Sequence, residues 1–244
     1  MSRFLSKSFL AGLAGGLLGY VALSLLGINT FGLGNLYSQN LDKDTDSALL
    51  SSVSVPSSLD ESWESIASKT ALSSVGIQVF RDNKLVRQGS GLAVSSDGLI
   101  ATVSDLAIAN AVYQIFYDDK IIKANIMAVD YGSNLMLLRS AVNFAGVSDF
   151  NPLFDYQSGQ DVLITGKIID LSKPVLATQR GLIKFTTEKQ VTIDGVASNY
   201  LSGFGIVTSD GRIIGVSYLR NGQINLVRAN ALKRFLDDYL GKNK

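Results

Sequence analysis

Three times between residues 74 and 228, a dipeptide that tolerates φ > 0 stands between two short apolar runs. Gly91-Leu-Ala-Val94 and Leu99-Ile-Ala-Thr-Val103 flank Asp97-Gly98, and Ile206-Val207 and Arg212-Ile-Ile-Gly-Val216 flank Asp210-Gly211. Tyr218-Leu219 and Gln223-Ile-Asn-Leu-Val227 flank Asn221-Gly222. Both positions of such a pair accept left-handed backbone angles, which favours tight two-residue hairpins. A further run, Val75 to Phe80, leads into Asp82-Asn83, which reads as another turn. Short strands at regular turn spacing, without a long helical period, predict an all-β barrel or sandwich. Only the end is helical: Ala229 to Leu240 sets Leu232, Phe235, Leu236 and Leu240 on one stripe, with Gly241 expected to stop it. Ahead of the strands, Leu59 to Leu72 spaces Trp63, Ile66, Ala67 and Ala71 as a short amphipathic helix, with Asp60 or Ser62 as its cap.

The first 58 residues have a different texture. No residue from Ser8 to Leu41 is charged, and Phe9 to Ile28 is almost wholly apolar or small. About 20 such residues in a helix cross the roughly 30 Å of a bilayer's hydrocarbon core, which predicts a membrane helix over 8–28. The other reading is a cleaved signal peptide, but its apolar region is usually about 7–15 residues long. The loosely matching Ala22-Leu23-Ser24 also lies inside the apolar run rather than after it. Arg3 and Lys7 precede the span, while Asp42, Lys43, Asp44 and Asp46 follow it. The expectation is a single-pass protein of the cell membrane, with residues 1–7 cytoplasmic and everything after the span extracytoplasmic. Gly12, Gly15, Gly16 and Gly19 share one helical face and allow close approach of a second copy, a homodimer through the membrane. Glycine is also simply frequent in membrane helices. Residues 29–71, rich in serine and carrying Pro56, form a tether and the short helix, leaving 72–241 as the folded domain.

The available chemistry is narrow. The chain has no histidine and no cysteine, which removes the usual neutral-pH base, thiol nucleophiles and the commonest metal ligands. No run matches a calcium loop, so neither a metal nor a cofactor is expected. With 22 Lys and Arg against 21 Asp and Glu, the net charge of +1 gives no general attraction to nucleic acid.

Against that background six segments follow one another in a known order. Gly89-Ser-Gly-Leu-Ala-Val-Ser-Ser-Asp-Gly-Leu-Ile-Ala-Thr102 comes first, then Asp130-Tyr-Gly-Ser-Asn-Leu-Met-Leu-Leu-Arg139. Ser158-Gly-Gln-Asp-Val-Leu-Ile-Thr-Gly166 and Thr178-Gln-Arg-Gly-Leu-Ile183 follow. Asp194 then precedes Ser202 by eight residues, and Asn225-Leu-Val-Arg-Ala-Asn-Ala-Leu-Lys-Arg234 closes the series. Together they resemble the trypsin-like protease domain of the HtrA/Deg family across residues 72–241. The resemblance implies a double β-barrel with a C-terminal helix. The family's usual PDZ domains are not expected after Lys244.

The family's active site does not carry over. Its T-N-x-H-V reads Thr102-Val-Ser-Asp105-Leu here, so Asp105 stands at the position of the histidine base. Asn134 stands at the orienting aspartate. The nucleophile motif G-N-S-G-G-P reads Tyr200-Leu-Ser202-Gly-Phe-Gly205, which keeps the serine and puts tyrosine at the oxyanion glycine. A serine hydroxyl needs a base to take its proton, and losing one triad member costs about 10⁴–10⁶ in kcat. The expectation is a pseudoprotease that binds a peptide or protein partner. Two alternatives stand beside it. One is a serine hydrolase in which Asp105 or a lysine, such as Lys167 or Lys184, replaces the histidine. The other is a membrane anchor that only scaffolds an assembly.

Overall fold

The computed structural model describes residues 58–242. The expected membrane helix, the tether to residue 57 and the glycine face lie outside them. Among the described residues no helix is long and apolar enough to cross a membrane.

The described residues open with helix α1 (Ser58–Ala71) and then build two closed barrels of six antiparallel strands. The first barrel contains β1 (Ser74–Arg81), β2 (Lys84–Ala93), β3 (Leu99–Thr102), β4 (Val112–Tyr117), β5 (Lys120–Asp130) and β6 (Leu135–Ser140), in the spatial order β1-β2-β3-β6-β5-β4. The second contains β7 (Asp161–Asp170), β8 (Lys173–Thr186), β9 (Val191–Asp194), β10 (Gly205–Val207), β11 (Ile213–Arg220) and β12 (Gln223–Arg228), ordered β10-β11-β12-β9-β8-β7. Closure gives every strand a partner on both sides and leaves unpaired only the stretches where one strand outruns its neighbour. Helix α2 (Ala229–Lys242) ends the chain.

Two of the expected turns are as their residues dictate. Asp82-Asn83 and Asn221-Gly222 hold both central residues at positive φ, and each joins its strands in a two-residue hairpin. The Asp97-Gly98 and Asp210-Gly211 turns are not tight. Only the glycine has positive φ in each, and the connections span residues 94–98 and 208–212. The aspartates hold these longer loops with their side chains. Asp97 accepts from Ser95 Oγ and pairs with Arg139 at 2.7 Å, and Asp210 accepts from Thr208 Oγ1 and pairs with Arg212 at 2.6 Å. The β7–β8 hairpin turns on Leu171-Ser172, both at positive φ, where no turn-favouring residue marks the site.

Each barrel has its own core, with Ile77, Leu92, Ile115 and Leu137 fully buried in the first and Ile164, Ile183, Phe204 and Ile214 in the second. Helix α1 buries Trp63, Ile66, Ala67 and Thr70, one face at i, i+3, i+4 and i+7, so Thr70 takes the place expected for Ala71. The helix starts at Ser58, which puts Asp60 and Ser62 within it rather than at its cap. Helix α2 buries Leu232 completely and half-buries Phe235 and Leu236, while Leu240 is exposed. It runs through Gly241 to Lys242 instead of stopping there.

Candidate functional site

Ser202 sits on the loop entering β10, and that loop is built from backbone contacts on both barrels. Gly203 has φ +84° and donates its amide to Ser217 O on β11 at 2.8 Å. Ser217 N returns a bond to Phe204 O at 2.8 Å, and Ser217 Oγ donates to Leu201 O. From the first barrel, Ser90 N donates to Ser202 O at 2.9 Å. Ser90 Oγ in turn donates to Val75 O at 2.9 Å and accepts from Lys167 N at 3.0 Å, while Thr102 Oγ1 donates to Ser90 O at 2.7 Å. A Cβ on Gly89 would meet Ser202 O at 2.6 Å, so glycine is what lets β2 approach the loop. Ser90, Thr102 and Ser217 are all buried and none was marked in the sequence as a support for the site. A serine between two glycines gives no such signal.

The Ser202 side faces a cavity of about 680 Å³ between the barrels, walled by Arg87 and Gln88 from one and Tyr200 and Leu219 from the other. Asp105, on the 3₁₀ turn Ser104–Leu106, lines the same cavity. Asn134 lies behind it. Its side-chain oxygen accepts from Ser104 Oγ at 2.7 Å and its carbonyl from Ser104 N at 3.3 Å, which leaves the amide to donate to the Asp105 carboxylate. Asn134 holds this pose at φ +57°, a region that asparagine tolerates better than most residues. Asp105 and Ser202 thus share one cavity and Asn134 is bonded to Asp105. No described side chain hydrogen-bonds Ser202 Oγ. Asp194 closes β9 opposite Leu182 and lines no part of this cavity.

No lysine reaches the site either. Lys167 points away from Ser202, with its ammonium 5.0 Å from the centre of the Tyr117 ring, and Lys184 is exposed on β8. Burial pushes the Lys167 ammonium down from its ordinary range, against the pull of Asp118. A lysine base for Ser202 therefore has no candidate among these two.

Burial pushes the Asp105 carboxyl above its ordinary 3.8, while the bond from Asn134 and the charge of Arg87 act in the opposite direction. A carboxyl raised on folding destabilises the fold as pH climbs through its folded pKa, and has no effect below 3.8 where both states are protonated. Asp105→Asn is therefore expected to raise the thermal midpoint at pH 7 and leave it unchanged near pH 3. Calorimetry of both proteins at the two pH values checks this, and an equal gain at both would contradict it.

No protein-family model matches the chain. No curated protein matches it in sequence. Among solved structures it is similar to a serine endoprotease from Yersinia pestis, with a TM-score of 0.64 at 18% identity over 75% of this chain and 68% of that one. At that identity the likeness is one of fold. The described chain is a trypsin-like double β-barrel with a C-terminal helix.

Proposed function

We propose that the chain is a membrane-anchored, catalytically inactive pseudoprotease whose interbarrel cleft binds an extended peptide. The observation that carries the inactive part is the setting of Ser202: no base is bonded to Oγ, and the carboxylate in the same cavity is held from behind by Asn134. A carboxylate is a far weaker base than an imidazole, and without a bond to Oγ it is not placed to take the serine proton. The competing hydrolase reading draws on the raised pKa of Asp105, but no hydrogen bond joins that carboxyl to Ser202 Oγ among the described residues.

The peptide-binding part follows from β11. Strand β10 pairs only as far as Val216, and Ser217 directs its amide and carbonyl to the loop before β10. Strand groups alternate in direction, so the N–H and C=O of Leu219 point the same way, into the cleft, past the first β10 residue, Gly205. An extended peptide can add to such an edge through main-chain bonds.

A fluorophosphonate probe should leave Ser202 unlabelled in the full chain, and labelling that Ser202→Ala removes would establish the hydrolase instead. Leu219→Pro removes the cleft-facing N–H without touching the β12 ladder. It should weaken binding of an extended peptide about tenfold, the worth of one main-chain bond, whereas Leu219→Ala, which also loses packing against the second core but keeps the N–H, should bind as the unaltered chain does. Protease added to intact cells should remove the domain if the span at 8–28 anchors it outside, and digestion only after lysis would reverse that topology.

A further inference from the structure

We infer that a second cavity gives this cleft a preference for peptides with acidic side chains, an inference that rests on the peptide-binding reading above. On the far side of Asp105 lies a space of about 810 Å³ between the Tyr131–Asn134 turn, the end of β11 and the start of α2. Lys189, Arg220 and Arg234 line it, and none of the three is in an ion pair with a described carboxylate. Arg228 lines it too, but its guanidinium is committed: it donates to Glu188 O, Thr187 O and Thr186 Oγ1 and lies 5.1 Å from the centre of the Tyr156 ring. It fixes the loop and leaves its charge in place. Against these four cations stand two carboxylates, Asp105 and Glu188. The chain as a whole carries only +1, so the excess is local.

The two cavities are not separate sites. Asp105 and Leu219 border both, so a peptide bonded to the Leu219 edge passes from the Ser202 cleft into the basic space. Side chains of an extended peptide alternate at about 3.3 Å per residue, which brings every second one to the same wall. Carboxylates there would meet the free ammonium of Lys189 and the forked guanidinium groups of Arg220 and Arg234. A free phosphate would be attracted by the same cations but would have no use for the edge. That edge is the reason the inference commits to peptide carboxylates.

The test uses the purified full chain and three fluorescein-labelled peptides, Glu-Val-Glu-Val-Glu, Gln-Val-Gln-Val-Gln and Lys-Val-Lys-Val-Lys, read by fluorescence anisotropy at low salt. The acidic peptide should bind about tenfold more tightly than the neutral one, the yield of two partly screened charge contacts. The lysine peptide should bind more weakly than both. Lys189→Gln with Arg234→Gln should bring the acidic peptide to within about threefold of the neutral one, and high salt should do the same to the unaltered chain. Equal binding of acidic and neutral peptides overturns the acidic preference and leaves the peptide cleft standing. Tripolyphosphate binding that the double variant abolishes, with no peptide bound, overturns both and makes the basic space a site for free anions. No binding of any probe also overturns both. Retention of the acidic preference in the double variant places its origin elsewhere.

Discussion

Carrying Asp105→His and Asn134→Asp together, the full chain is expected to hydrolyse casein only slowly, while the unaltered protein stays at background from about pH 6 to 9. The two changes supply what the cavity geometry invites. An imidazole at 105 would share the cavity with Ser202, and a carboxylate at 134 would keep the bonds now made to Ser104 while accepting a hydrogen bond from the imidazole N–H. The third defect remains. By the motif resemblance Tyr200 stands where the family presents an N–H to the oxyanion, and its backbone is not in the left-handed region open to glycine. Loss of one such donor costs about 3 kcal/mol, or a factor of 10²–10³. Adding Tyr200→Gly should therefore raise turnover by at least about a hundredfold over the double variant. Turnover by the unaltered chain that Ser202→Ala abolishes would overturn the pseudoprotease reading. A folded but inert triple variant would show that the loop itself, and not only its side chains, has left the catalytic arrangement.

Gly203→Ala is expected to destabilise the fold by about 3–5 kcal/mol, a large part of the 5–15 kcal/mol that holds a typical domain. Two costs act together. At φ +84° an L side chain costs about 1–2 kcal/mol. The added Cβ would also stand 1.9 Å from Ser90 O and 2.5 Å from Thr102 Oγ1, and the first of these is backbone that cannot rotate away. Gly159→Ala separates the two costs. It has φ +89° but nothing within 4 Å, so it should lose only the conformational part, about 1–2 kcal/mol. Denaturant midpoints of the two variants decide the matter. Equal losses would mean that the loop yields and that Ser90 does not fix it.

The barrels were legible in the sequence where local chemistry and fold agree. Asn221-Gly222 and Asp82-Asn83 are turns because their residues accept φ > 0, and the structure uses both positions of each. The Asp-Gly pairs misled because an aspartate also serves as an acceptor. Bonded to Ser95 and Arg139, or to Thr208 and Arg212, it holds a wider loop in which only the glycine is left-handed. Leu171-Ser172 left no trace, since a leucine at φ +44° is held by the ladder of the long β7–β8 pair rather than by its own preference. Gly241 failed as a stop because the helix simply continues through it. The order of motifs along the chain points to Asp105, Asn134, Tyr200 and Ser202, and the structure sets Asp105, Tyr200 and Ser202 on one cavity with Asn134 bonded to Asp105. No motif points to their supports. Ser90, Thr102 and Ser217 act through single hydroxyls and main-chain groups across the barrels, and no spacing in one dimension encodes that.

The bonds that Ser90 makes to Val75, Lys167, Thr102 and Ser202 join three strands and the serine loop at one point. Pulling the barrels apart would break those to Lys167 and Ser202 together and strand buried polar groups. The Ser90 amide should then exchange with solvent only when the whole molecule unfolds, not through a local opening. A cleft pinned in this way has little freedom to clamp down on what enters it. On the proposed peptide-binding reading, a guest would be accepted or refused on the cleft already present, and differences between guests would show mainly in how long each one stays.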